Sequence, residues 1–105
     1  MELSGVSTSF EAFLTQAPGH AKAWMNAVKE LDQAAALDKK TQEIAYIAVL
    51  AALRLESGIP FHVKAAKGMG VSRAEMISAI LVGLPATGNA VTQVLPAALA
   101  AYDSP

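Results

Sequence analysis

Cysteine is absent from this chain of 105 residues, which excludes disulfides, thiolate metal ligation and any thiol mechanism built on the chain's own side chains. Charge is scarce as well. Charged side chains make up 16% of the sequence, against roughly 25% in an average soluble domain. Eight basic and nine acidic residues leave a net charge of -1, and no basic block occurs, so neither nucleic acid nor an anionic membrane surface is favoured as a partner. Strand signals are nearly missing, because no stretch alternates with β-branched or aromatic enrichment. The longest apolar run, Ile44 to Leu53, is ten residues, half of the roughly 20 that span a bilayer, so no membrane partner is expected. The opening MELSGVSTSF has neither the basic head nor the apolar run of a secretion signal, and a cytoplasmic location is the default expectation. Two histidines with no acidic cluster beside them make no metal-ligand pattern.

What is present is a greasy, helix-forming sequence of single-domain length. Apolar residues reach 53%, more than a small monomer comfortably hides, so self-association is expected. The fold expected is all-α, a single domain of about six helices, with N-terminal helices in residues 1–36 and the core in 37–105. Thr8-x-x-Glu11 can form a capping box for a first helix carrying Phe10, Phe13 and Leu14 and ending before Pro18-Gly19. A second helix carries Trp24, Val28 and Leu31 on one stripe. Asp38 looks like the N-cap of a third, running from about Lys39 to Glu56 and apolar on every side through its middle, as in a helix enclosed by its own fold and a neighbouring subunit. Gly58 fits its stop. Pro60 suits the first turn of a fourth, reaching Gly68 or Gly70. Ser72-x-x-Glu75 is a second capping box, opening a fifth helix that ends near Gly83-Leu84-Pro85. Residues 86–102 supply the last, which Pro96 either kinks or begins.

His62 draws attention because it opens a segment that otherwise reads as plain alanine-rich helix. It is either a ring satisfying nearby backbone, or a base in a helix's first turn, where the positive end of the dipole favours the neutral imidazole. Glu43, one residue before the apolar run, is either a solvated first-turn glutamate or a partly buried acid. Helices three and four should run antiparallel, which sets Glu43 far from the turn, so their spacing alone does not pair it with His62, and a pairing would need a bend or a subunit contact. Tyr46 lies one turn from Glu43 and could share its cavity, and Arg54 could clamp a carboxylate. His20 reads as solvent-facing, and Trp24, Tyr46 and Met69 read as core before pocket.

The stretch LDKKTQEIAYIAVLAALRLESGIPFHVKAAKGMGVSRAEMISAILVGLPATGNA, from Leu37 to Ala90, resembles the core of the carboxymuconolactone decarboxylase and alkylhydroperoxidase D superfamily. The resemblance rests on a leucine-and-Lys-Thr helix start, the long apolar helix, the H-V-x-A-A block, G-V-S-R-x-E-M and the closing G-x-P-A-x-x-N-A. It implies an alkylhydroperoxidase-like helical fold, homotrimers or homohexamers, and no cofactor. In the peroxidase branch a Cys-x-x-Cys pair precedes the histidine by seven and four positions, and a relay glutamate precedes it by nineteen. Those positions here are Leu55, Gly58 and Glu43. With the relay present and the nucleophile missing, thiol peroxidase activity is not expected. The decarboxylase branch dispenses with cysteine and keeps the histidine and the G-x-P-A segment, here Gly83-Leu84-Pro85-Ala86. The resemblance therefore implies lyase-type acid–base chemistry, decarboxylation or isomerisation of a small carboxylic acid or lactone, with His62 and Glu43 as the catalytic pair and Tyr46, Arg54 and Gly58 facing the small-molecule ligand. Its alternative is a degenerate, non-catalytic oligomer that binds a small ligand or partner.

Overall fold

A computed structural model describes residues 5–105 of the chain, and within them every regular element is helical. In chain order these are α1 (Thr8–Gln16), α2 (Pro18–Ala34), α3 (Lys39–Ala52), a 3₁₀ turn (Glu56–Gly58), α4 (Ile59–Gly68), α5 (Arg73–Leu81), a four-residue turn α6 (Leu84–Thr87), a 3₁₀ stretch (Gly88–Val94) and α7 (Leu95–Asp103). The caps follow the sequence closely. The Asp38 side chain accepts from the Thr41 N–H at 2.8 Å and starts α3. Ser72 and Glu75 complete their reciprocal box at the head of α5. The α1 cap sits one residue earlier than expected: the Ser7 hydroxyl, not that of Thr8, accepts from the Phe10 N–H at 3.1 Å. Pro96 lies in the first turn of α7, so it starts a helix and kinks none.

The core is built by α3 to α7. Ile47, Leu50 and Ala51 of α3 meet Ile59, Val63 and Ala66 of α4, and the layer is closed by Val71, Met76, Ala79, Ile80, Val91, Val94, Ala98 and Ala101. Alanines at Ala51, Ala66, Ala79 and Ala98 let helix axes approach closely, which is what the alanine richness accomplishes. α7 is fastened by polar bonds at its outer end. Tyr102 donates its hydroxyl to the Val71 carbonyl at 2.8 Å, Lys67 donates to the Tyr102 carbonyl at 2.6 Å, and Arg73 holds both Asp103 oxygens at 2.9 and 3.1 Å. Residues 73–103 are helical nearly throughout, with mean hydropathy 1.3 in their most apolar window, yet they form no straight rod. Gly88 at φ 68° and the 3₁₀ stretch turn them back onto α3 and α4.

Two apolar surfaces stay outside this core. α3 is buried on one side, while Tyr46, Val49 and Leu53 form an open apolar stripe on the other. α2 buries only Ala21 and leaves Trp24, Met25 and Leu31 exposed, so Trp24 is not a core residue, and neither is the exposed Met69. The principal neighbour of α2 is α1. The projecting α1–α2 hairpin fits a radius of gyration of 14.0 Å, above the about 13 Å of a spherical domain this long.

Candidate functional site

The C-terminal end of α3 determines where the site forms. Arg54 adopts φ 55°, the left-handed conformation. Its N–H reaches the Ala51 carbonyl, and the Leu55 N–H reaches the Leu50 carbonyl at 2.9 Å. This is the Schellman pattern, in which a left-handed residue just past the helix returns two amides to orphan carbonyls. α3 therefore stops at Ala52, four residues before the Glu56 expected from sequence. The connection then doubles back along the helix, so that a methyl at Gly58 would lie 3.4 Å from the side chain of Leu50. α4 begins at the level of Leu50, and its first turn carries His62 to the level of Tyr46 and Glu43. Had α3 continued to Glu56, His62 would face residue 53 or so and stand about 15 Å of helix rise from Glu43.

Glu43 and His62 meet as a result. His62 Nδ1 lies 2.5 Å from Glu43 Oε1, with side chains 27% and 16% exposed respectively. The pairing needs neither a bend in α3 nor a second subunit. An ionised carboxylate can only accept, so in the neutral ring Nδ1 carries the proton and Nε2 presents a lone pair. Nε2 has no hydrogen-bond partner among the described residues. The Tyr46 ring lies 4.5 Å from the imidazole, centroid to centroid, at a tilt of 52°, and the Phe61 ring stands at 5.3 Å, nearly perpendicular at 82°. Gly5 presses on the same turn. At φ 83°, it lies so close that a methyl there would stand 2.9 Å from the Phe61 nitrogen, so Gly5 rests on the backbone beside His62.

Of the five residues expected at the site, three are brought together: His62, Glu43 and Tyr46. Arg54 is spent elsewhere. Its backbone is the helix-ending residue, and its guanidinium makes a long 3.5 Å contact with Gln93 Oε1, which is no carboxylate clamp at the imidazole. Gly58 packs on Leu50 and serves the return of the chain. Phe61 and Gly5 were not anticipated. Phe61 could have been suspected from its place beside His62, whereas nothing local in the sequence marks Gly5. An open apolar cavity of about 390 Å³ lies between α3 and α5, lined by Ile44, Ala74, Glu75, Ser78, Ala79 and Val82, and contains neither Glu43 nor His62. Among the described residues no three His, Asp or Glu side chains converge as a metal site would require.

The family model described as the carboxymuconolactone decarboxylase family matches residues 18–100 of the chain. The match takes in α2, most of α7 and everything between them, leaving out α1. No curated protein and no solved structure shows significant similarity to the chain.

Proposed function

The chain belongs to the carboxymuconolactone decarboxylase family, and from that premise we propose that it performs cofactor-free acid–base chemistry on a small carboxylic acid or lactone, by decarboxylation or isomerisation. The observation that carries this reading is the Glu43–His62 pair, with its second ring nitrogen unpartnered among the described residues. In an isomerisation, Nε2 takes a proton from the carbon next to the carbonyl while Glu43 stabilises the imidazolium that forms, and the same nitrogen returns the proton to the carbon two positions along the conjugated system. In a decarboxylation, loss of carbon dioxide leaves an electron pair on carbon, which protonated Nε2 quenches before the ring is recharged from water. Glu43 fixes the tautomer in both cases, much as a carboxylate orients a catalytic or metal-bound histidine.

The protein acts as a homotrimer or homohexamer in this proposal. Support comes from the exposed apolar side chains of α2 and α3: Trp24, Leu31, Tyr46, Val49 and Leu53. Peroxide reduction is not part of the activity, since the chain has no thiol to attack the peroxide.

A second reading has its own support, because Tyr46 is 47% exposed and the α3–α5 cavity lies away from the pair. In that reading the protein is a degenerate, non-catalytic oligomer that binds a small ligand or a partner. One experiment separates the two. Wild type, His62→Gln and Glu43→Gln are incubated with a panel of unsaturated lactone acids in deuterated water, and solvent deuterium entering carbon is followed by NMR. Exchange or turnover in wild type, reduced about 10²-fold or more in His62→Gln and less in Glu43→Gln, supports the catalytic reading. Saturable binding with no exchange in any variant supports the second. Both single variants should keep wild-type helicity and assembly, because the ring supplies one partly exposed hydrogen bond worth about 0.5–1.5 kcal/mol.

A further inference from the structure

The Glu43–His62 contact leaves one question of orientation. Turning the ring by half a revolution about its bond to Cβ would put carbon Cδ2 where Nδ1 stands and Cε1 where Nε2 stands, at little cost in shape but with loss of the hydrogen bond to Glu43. The orientation with Nδ1 on Glu43 directs Nε2 away from the carboxylate, and the one partly exposed hydrogen bond that favours it is a modest hold on the ring. Contacts on the ring's faces and edges add to that hold. Two side chains supply them: Tyr46, tilted against the ring at 4.5 Å, and Phe61, edge-on at 5.3 Å.

We infer that Tyr46 is a positioning residue for His62, holding the imidazole in the single orientation that keeps Nδ1 on Glu43 and Nε2 outward. Packing of the core does not account for it, since Tyr46 is about half exposed and lies outside the buried cluster. Its hydroxyl does not account for it either, having no hydrogen-bond partner among the described residues. Cover by another subunit, as in the proposed oligomer, would suit any apolar side chain there; the aromatic ring that packs on the imidazole is mounted on α3 one turn from Glu43, so that one rigid helix presents the carboxylate and the platform together. Phe61 cannot replace it, because its ring meets the imidazole nearly perpendicular from α4, the helix that carries His62 itself.

This inference rests on the proposal that His62 is the working base, and its test is independent of any substrate. The ¹⁵N resonances of the His62 ring are recorded in the free protein at a pH where the ring is neutral. Wild type, Tyr46→Phe, Tyr46→Leu and Glu43→Gln are compared, and the His20 signals are assigned from a His20→Gln variant. Wild type should show Nδ1 protonated and Nε2 bare, as two well-separated resonances. Tyr46→Phe should reproduce that pattern, because the ring is kept. Tyr46→Leu, apolar but without a ring and folded by circular dichroism, should draw the two resonances together as both tautomers and orientations become populated. An unchanged pattern in Tyr46→Leu overturns the inference, and so does a collapsed one in Tyr46→Phe, which would move the role to the hydroxyl. If wild type already shows two averaged resonances, the Glu43–His62 pair itself is not selective and the proposal beneath falls as well, an outcome distinguishable from failure of Tyr46 alone.

Discussion

The α1–α2 hairpin and the α3–α7 core differ in a way that separates helix formation from helix burial. α2 is the longest helix, 17 residues, and has a clear apolar stripe through Ala21, Trp24, Val28 and Leu31, yet it buries Ala21 alone. α5 and α7 are nine residues each, with apolar residues spread around them; α5 buries Met76, Ala79 and Ile80, α7 buries Ala98 and Ala101, and Ile77, Leu81, Leu95, Leu99 and Tyr102 pack partly buried against the core. An amphipathic pattern reports that a helix has a partner face, not that the partner belongs to the same chain. In the core the partner is the rest of the chain. For α2 the chain supplies α1 and a polar touch, the Gln42 amide donating to Asp32 at 2.8 Å, and the outer half of its stripe stays open.

The sharpest way to break this comparison is to cut matched holes in the two regions. Ile80 is fully enclosed, and Ile80→Ala should lower the unfolding free energy by about 2–5 kcal/mol, read from chemical denaturation. Trp24 is 55% exposed, so Trp24→Ala removes a larger side chain and should cost the isolated subunit about 1 kcal/mol or less. In the proposed oligomer, however, Trp24 lies where another subunit would cover it, and light scattering at micromolar protein should show Trp24→Ala, and more so a Trp24→Ala and Leu31→Gln double variant, dissociating before it unfolds. A stable monomer in wild type would remove the oligomer from the proposal. Equal losses of stability for Ile80→Ala and Trp24→Ala in dissociated protein would show that the hairpin is part of the core after all.

The same division explains what could be read from the sequence. Helices were legible almost to the residue where a cap or a proline states the boundary, as at Asp38, Pro60, Ser72 and Pro96, because those signals act within one turn. Burial was not, since it depends on which elements lie opposite. Trp24, Tyr46 and Met69 read as core and are exposed. The Glu43–His62 pair was legible only by resemblance. The residue that brings the two together is Arg54, which ends α3 early, and an arginine carries no sequence signal for a left-handed helix stop. Gly58, which reads as that stop, is four residues further on.

Arg54 has an internal counterpart that turns this into a measurement. α4 ends with the same hydrogen-bond pattern: Gly70 at φ 90° gives its N–H to Lys67, and Val71 gives its own to Ala66 at 3.0 Å. One Schellman turn uses glycine, the other a residue whose Cβ is crowded there at about 1–2 kcal/mol. Arg54→Gly should therefore stabilise the protein, by about 1 kcal/mol once the greater freedom of glycine in the unfolded chain is set against the relieved strain. The contact at Gln93 is too long and exposed to change the sign. Destabilisation on Arg54→Gly, or loss of ligand binding with stability unchanged, would return Arg54 to the site as a side chain.

The smallest expected effect concerns charge at the edge of the core. Asp103 is held below the ordinary carboxylate range by its hydrogen bonds from Arg73, helped by the charges of Arg73 and Lys67. The Ser72 backbone N–H and then Lys40 do the same for Glu75, and the Thr41 backbone N–H does so for Asp38. A carboxyl whose folded value lies below its unfolded value binds its proton more readily when unfolded. Its contribution to stability is thus complete above the unfolded value, about 4, and is lost as the pH falls through the folded one. All three groups are at the surface, so each contribution is small and screened by salt. Near neutral pH, Asp103→Asn should melt slightly below wild type, because α7 loses its bidentate tie to Arg73. As the pH is lowered through the carboxylate range, wild-type Asp103 becomes neutral too and the gap should close. Thermal melts of the two proteins in low salt, stepped from about pH 7 to about pH 3, give the answer: a gap that stays constant across that range would mean Asp103 ties α7 down by geometry alone, with its charge contributing nothing.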